Sequence, residues 1–439
     1  MQKVPLKEIN RLALPAIIAG TAEPIIGLVD NAVVGHLGTT ELAGVGIATA
    51  LFTSVIWLLA QTKSAISAIV SQYLGRGQTE QLKNLIPQAI ILNLFLGLLF
   101  FAGTAVFSVE LLQLYNAKGA VLQFANEYYL IRAIGFPLTL ATFGIFGIFR
   151  GLQNTSWAMK ISLAGVSLNV ILDVVLVYGI EGMIPSFGVK GAAIASLLSQ
   201  VLMLALAVIY LLKKTPFNFH FKVAISPELW ILIRMSGELF IRTIALQVAY
   251  FLGTRFAAGY GDEYVAAHTI AMNIWLFSAF FIDGYSAAGN AISGRLLGAK
   301  DFKTIYNYGF QINKINLLIS FLLAAGYLIG YQFIGNLFTK DAQVIAIFNA
   351  IFWLVILSQP INAVAFAFDG VFKGLGEMRY LMYTLLIATF MGFVPVIFIT
   401  DYIGWNIYGV WVAYLIWMVM RGGILLVKFK MKYKPINAV

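Results

Sequence analysis

The chain has 439 residues, 60% of them apolar and 11% charged, where an ordinary soluble domain carries roughly 25% charged residues. A soluble core of this length cannot hide so much apolar surface, so the sequence reads as a polytopic membrane protein. The net charge of +10 is dispersed over short segments, which argues against nucleic acid as a partner, and the lack of cysteine removes disulfides, thiolate metal sites and cysteine nucleophiles.

In chain order, apolar runs long enough to cross a bilayer are predicted near 9–36, 41–74, 84–109, 119–151, 158–181 and 187–212, then near 229–257, 264–297, 305–335, 343–374, 380–402 and 406–428. The first run begins near Leu12 and contains Glu23 and Asp30, which makes it too long and too polar for a cleavable signal segment. The predicted fold class is all-α, with twelve transmembrane helices in two pseudo-symmetric six-helix bundles. The expected lobes are 1–213 and 229–428, joined by a cytoplasmic linker at 214–228 and followed by a basic cytoplasmic tail at 429–439.

Charge sets the expected orientation. With the N-terminus inside, the inner segments hold Lys3, Lys7, Arg11, Arg76, Lys83, Arg150, Lys160, Lys213, Lys214, Arg295 and Lys300, while the outer loops hold only Lys118, Lys190 and Lys340. Both termini are therefore expected in the cytoplasm.

The halves align at a constant offset of 223 residues: Gly38 falls on Gly261, Gly75 on Gly298, Asn93 on Asn316 and Pro137 on Pro360. "RGLQNT" from Arg150 falls on "KGLGEM" from Lys373. An even number of spans per half makes these parallel repeats, an arrangement suited to alternating access.

A charge at mid-membrane costs on the order of 2.5–3.5 kcal/mol on insertion scales, so intramembrane charges point to function. Glu23 and Asp30 lie seven positions apart and share one helix face, with Pro24 loosening the backbone between them. Asn169 and Asp173 are four apart and point the same way, and Ser196 offers a hydroxyl in the small-residue stretch "GVKGAAIAS". Asp30, Asn169 and Asp173 are expected to converge as a site for a proton or Na⁺, because two adjacent carboxylates in low dielectric cannot both stay ionised. Apart from that possible Na⁺ no metal site is expected, and no cofactor beyond the coupling ion. In the second half Arg242 is expected to pair with Asp283 or Asp369, in a network that is either structural or substrate-binding.

Three strings, "PAIIAGTAEPIIGLVDNAVVGHLG", "YYLIRAIGFPLTLATFGIFGIFRGLQNT" and "SLNVILDVVLVYGI", resemble the multidrug and toxic compound extrusion (MATE) transporters. "FIDGYSAAGNAISGRLLGAKD" and "AFAFDGVFKGLGEMR" are similar to its DinF (DNA-damage-inducible F) branch, and the likeness covers essentially the whole chain. It implies a secondary antiporter that exports cationic, amphipathic organic compounds, drugs or toxic metabolites in exchange for H⁺ or Na⁺. It also implies coupling roles for Asp30 and Asp173, with Asn169 beside them and Ser196 at the family's small-hydroxyl position. This chain departs from the branch at Asn290, where a glutamate is common, and at Glu23, where a neutral residue is expected.

The alternative within the superfamily is a lipid-linked precursor flippase, which calls for a basic cavity. A membrane enzyme is disfavoured because no GxxxxGK[ST] loop and no DxxxD or DDxxD carboxylate pattern occurs. The chain is expected to work as a monomer in the plasma membrane of a bacterial or archaeal cell.

Overall fold

The structure, a computed structural model, describes residues 3–218 and 224–434. The first span is α1 (Leu6–Gly20) and α2 (Ala22–Val34), and the second is α3 (Thr39–Leu59) and α4 (Thr62–Gly75). The third is α5 (Leu85–Val106), followed by the short α6 (Ser108–Leu114), and the fourth is α7 (Gly119–Ala133) with α8 (Gly135–Gly151). The fifth and sixth are α9 (Ser156–Tyr178) and α10 (Gly188–Lys214). The second half runs α11 (Pro227–Gly259), α12 (Asp262–Gly298), α13 (Phe302–Ile329) with short α14 (Tyr331–Phe338), and α15 (Ala342–Gly374). It ends with α16 (Met378–Ile387), a π-helical turn at Ala388–Phe393, α17 (Val394–Tyr402) and α18 (Asn406–Tyr433).

Ten helical stretches among the described residues are long and apolar enough to cross a membrane, and the α7–α8 pair, bent by 44°, makes an eleventh. The twelfth is α11, whose 33 residues suffice to span but carry Glu238, Arg242 and Arg255 within the apolar sequence. The expected all-α, twelve-span architecture is what the chain adopts.

Prolines explain where several spans break. Each proline lacks an N–H, and its ring presses on the carbonyl four residues back. Pro24 does this to Gly20, where α1 ends; Pro137 to Ala133, where α7 ends; Pro395 to Met391, inside the π-helical turn. Pro15 and Pro360, by contrast, are carried inside unbroken helices. The break at Ala60–Gln61 contains no proline; there Thr62 turns its hydroxyl to Leu59 O and to Asn93 Oδ1, the latter at 2.7 Å.

The repeat read from sequence recurs in the element boundaries. Thr39–Gly75 corresponds to Asp262–Gly298, the end of α5 at Val106 to the end of α13 at Ile329, and Gly119–Gly151 to Ala342–Gly374, all at the same offset. Asn93 and Asn316 are both fully buried.

The chain forms two compact units. One is Ile18–Tyr73 with Gly77–Arg234; the other is Met235–Val439 joined by Met1–Ile17 and Leu74–Arg76. The first lobe expected at 1–213 therefore lacks its first seventeen residues. Those pack in the C-terminal unit, where Glu8 bridges to Arg295 at 2.6 Å, Tyr285 donates to Asn10, and Gln311 bonds both backbone polar groups of Val4. Residues 224–228 of the predicted linker belong to the N-terminal unit, held by Gln88 to Ala224 O at 2.9 Å and by Tyr73 to Glu228 at 2.5 Å. The predicted tail begins inside α18, which continues to Tyr433, and 435–439 lie outside the described residues.

In the N-terminal unit α5 packs tightly against the bend of the fourth span. A Cβ on Gly97 would come within 2.6 Å of the Pro137 nitrogen, whereas one on Gly103 of the same helix would meet nothing within 4 Å. Gly97→Val is expected to cost about 1–3 kcal/mol by overpacking. Thermal unfolding in detergent should show a lowered midpoint for Gly97→Val and little change for Gly103→Val.

Candidate functional site

Four helices of the N-terminal unit each send two polar side chains inward at helical spacing: Glu23 and Asp30 from α2, Tyr128 and Arg132 from α7, Asn169 and Asp173 from α9, Ser196 and Gln200 from α10. Close approach of these helices depends on small residues. Ala192, Ala193 and Ala195 of α10 are fully buried, and a Cβ on Gly27 of α2 would stand 2.8 Å from Thr49 of α3.

One layer centres on Asp30, which is fully buried. Its Oδ2 accepts from the Tyr128 hydroxyl and, at 2.7 Å, from Ser196 Oγ, while Oδ1 accepts from Asn169 Nδ2 at 3.2 Å. Asn169 Nδ2 also reaches Ser196 Oγ at 3.4 Å. Asp173 lies against Asp30 and Asn169. Neither of its buried oxygens meets a hydrogen-bond donor among the described residues, and Asn169 Oδ1 is likewise without one. Two carboxylates thus face each other, with Asn169 against both. A proton or a cation is what that gap can hold.

The second layer lies towards the N-terminal end of α2. Glu23 precedes Asp30 by seven residues, about 10 Å along a helix axis. Arg132 NH2 bonds Glu23 Oε2 at 3.3 Å and its guanidinium lies over the Phe52 ring, 4.5 Å from the centroid. Gln200 lies beside Glu23.

The C-terminal unit holds a different arrangement. Asp369 of α15 is buried among three cations: Arg242 of α11 pairs with its Oδ1, Lys373 with its Oδ2 at 2.8 Å, and Arg421 of α18 approaches Oδ1 at 3.9 Å. Of the two partners expected for Arg242, the structure supplies Asp369. Asp283 is exposed and joins no ion pair among the described residues, although Arg421 feels its charge. Asn290 is buried in α12, where its backbone carbonyl packs against Gly374. Neither residue belongs to the Asp369 cluster.

The structure therefore gathers Asp30, Asn169, Asp173 and Ser196 into one layer and sets Glu23 in the next. Sequence reasoning did not bring Tyr128, Arg132 or Gln200 into the site. The missed signal was spacing: Tyr128 and Arg132, like Ser196 and Gln200, recur at four residues on one helix face.

Comparisons with known proteins bear on the family and the fold. The MatE family model matches residues 15–175 and 239–398, one stretch in each half. Protein DETOXIFICATION 44, chloroplastic, of Arabidopsis thaliana is 28% identical, with 94% of this chain and 80% of the relative covered. DNA damage-inducible protein F of Escherichia coli (strain K12) is 25% identical over 95% of this chain and 90% of its own. The crystal structure described as MATE in the bent conformation superposes with a TM-score of 0.89 at 23% identity, covering 97% of this chain and 95% of that one. A structure described as the outward-facing conformation of a multidrug resistance MATE family transporter gives 0.88 at 23% over the same shares. At such identity these structures speak for the fold.

Proposed function

The chain belongs to the MatE family of membrane transporters, and from that premise we propose that it is a secondary antiporter that exports organic cations, drugs or toxic metabolites in exchange for protons. The observation that carries the proposal is the buried Asp30–Asp173 pair, whose second carboxylate has no donor among the described residues. A proton shared by the pair relieves their repulsion. Na⁺ is the other candidate, since Asp30, Asp173, Asn169 and Ser196 all offer oxygen. The inward ion contributes about 2.3 kcal/mol per charge for each 100 mV of membrane potential. The bias of lysine and arginine supports cytoplasmic termini in a bacterial or archaeal plasma membrane. Export of cations fits better than flipping of a lipid-linked phosphate, because the buried cations Arg242, Lys373 and Arg421 are already gathered on Asp369.

Reconstitution tests this directly. Proteoliposomes loaded with a fluorescent organic cation are given an imposed pH gradient or an imposed Na⁺ gradient. Accelerated efflux under the pH gradient alone is the expected result. Acceleration by Na⁺ alone reassigns the ion, and indifference to both overturns the antiporter reading.

A further inference from the structure

Beside Glu23 the N-terminal unit encloses a small chamber of about 40 Å³, at the break between α1 and α2. Its walls include Glu23, Lys63, Thr139, Ser162 and Gln200. Thr139, Ser162 and Gln200 are each at least 98% buried; the Thr139 and Ser162 hydroxyls find no hydrogen-bond partner among the described residues, and Gln200 faces Glu23. The Nε and NH1 of Arg132 are likewise without a hydrogen-bond partner among the described residues. Buried polar groups are rarely left this way, and a cluster of them around an enclosed space calls for water. The volume has room for about three molecules, at 10–15 Å³ each.

We infer that Glu23 is a second proton-carrying carboxylate, which takes the proton from the Asp30–Asp173 pair and passes it to water held in this chamber. The inference rests on the coupling role proposed for that pair. The proton released by the pair is the one Glu23 gains, and in gaining it Glu23 becomes a neutral acid beside Arg132, which keeps its charge. The same proton then leaves for the chamber water and restores the pair. No charge is created or lost along the way.

Every charged or titratable group around Glu23 fits this sequence. Asp30 lies two turns along α2; Arg132 faces it from α7; Tyr128 of α7 and Asp173 of α9 act on it through Arg132; and Lys63 of α4 lines the chamber with its ammonium over the Phe143 ring. α8 and α10 contribute only the neutral Thr139, Thr142 and Gln200 to the chamber, besides Phe143, Phe146 and Met203. Three carboxylates thus share the two cations Arg132 and Lys63, an imbalance that one mobile proton removes. Lys63 and Arg132 also make the chamber a poor home for a metal cation. With the N-terminus in the cytoplasm, the chamber lies on the inner side of Asp30, where an inbound proton must leave.

Infrared difference spectra between acid and alkaline pH test this on the purified full-length chain carrying ¹³C-glutamate. Against the background of the chain's other glutamates, one label-displaced carboxylic acid band is expected in the wild type and in Asp30→Asn and lost in Glu23→Gln. In proteoliposomes, Glu23→Gln should slow substrate-driven proton influx by roughly a hundredfold. If Glu23→Gln does not fold, Glu23→Asp serves, since the band should then follow aspartate labelling. A band that persists in Glu23→Gln, a wild type without a glutamate-sensitive band, or unchanged proton influx overturns the inference. Failure of the coupling reading looks different: Asp30→Asn would transport normally, whatever the glutamate band does.

Discussion

Asp30→Asn is expected to abolish gradient-driven export while leaving the protein folded and inserted. Asparagine keeps an oxygen for the Tyr128 and Ser196 hydroxyls, and its amide can donate to Asn169 once that side chain flips and presents its unpartnered Oδ1. The shape of the site survives and its ionisable group does not. Loss of a proton carrier of this kind is worth about two orders of magnitude or more in rate. Asp173→Asn should behave alike, and Tyr128→Phe more mildly, because it removes one donor to a carboxylate, worth about 1.5–3 kcal/mol, and no titrating group. Efflux from proteoliposomes, measured beside the elution profile of each purified variant, checks all three. Wild-type efflux by Asp30→Asn would remove the pair from the mechanism.

Asp369→Asn is expected to fail for another reason, before transport is reached. Asp369 is the carboxylate on which Arg242, Lys373 and Arg421 all converge, and the group is buried. Taking its charge away strands three cations in a medium that solvates them badly. Breaking a buried ion pair from one side costs about 3–5 kcal/mol, and here one deletion uncompensates three partners. Fluorescence-detected gel filtration after heating should show a large loss of monodisperse protein. Lys373→Met, which leaves Asp369 its two arginines, should cost much less. An Asp369→Asn protein as stable as the wild type would mean that the cluster is not structural.

The contrast between these two aspartates was only partly legible in the sequence. All twelve spans were, within a few residues, because runs of about 20 apolar residues dominate every local signal. Asp30 and Asp173 stood out because charge in hydrocarbon is expensive, whatever the fold. The same reasoning flagged Asp369 but could not choose between partners for Arg242, since that choice depends on which helices pack together. Tyr128, Gln200 and Ser162 went unnoticed or were undervalued because neutral polar residues cost little to insert. Their importance comes from burial without partners, which only packing reveals. The lobe boundary shifted for a similar reason: Leu6–Ile17 continue the first span in sequence, yet Glu8, Asn10 and Val4 find their bonds in the C-terminal unit.

The duplication has left the two copies jointed at different places. Where Asp262–Gly298 and Ala342–Gly374 are uninterrupted rods, their counterparts are jointed, at Ala60–Gln61 and at Ile134, and the first span is jointed at Thr21 while α11 is straight through. A joint in a rod lets a local change in charge be converted into displacement at little elastic cost, whereas a continuous rod resists and transmits. Three of the joints lie in the copy that carries the ionisable pair, and the π-helical turn at Ala388–Phe393 lies in the other, where its counterpart α9 is continuous, so compliance has been inherited span by span.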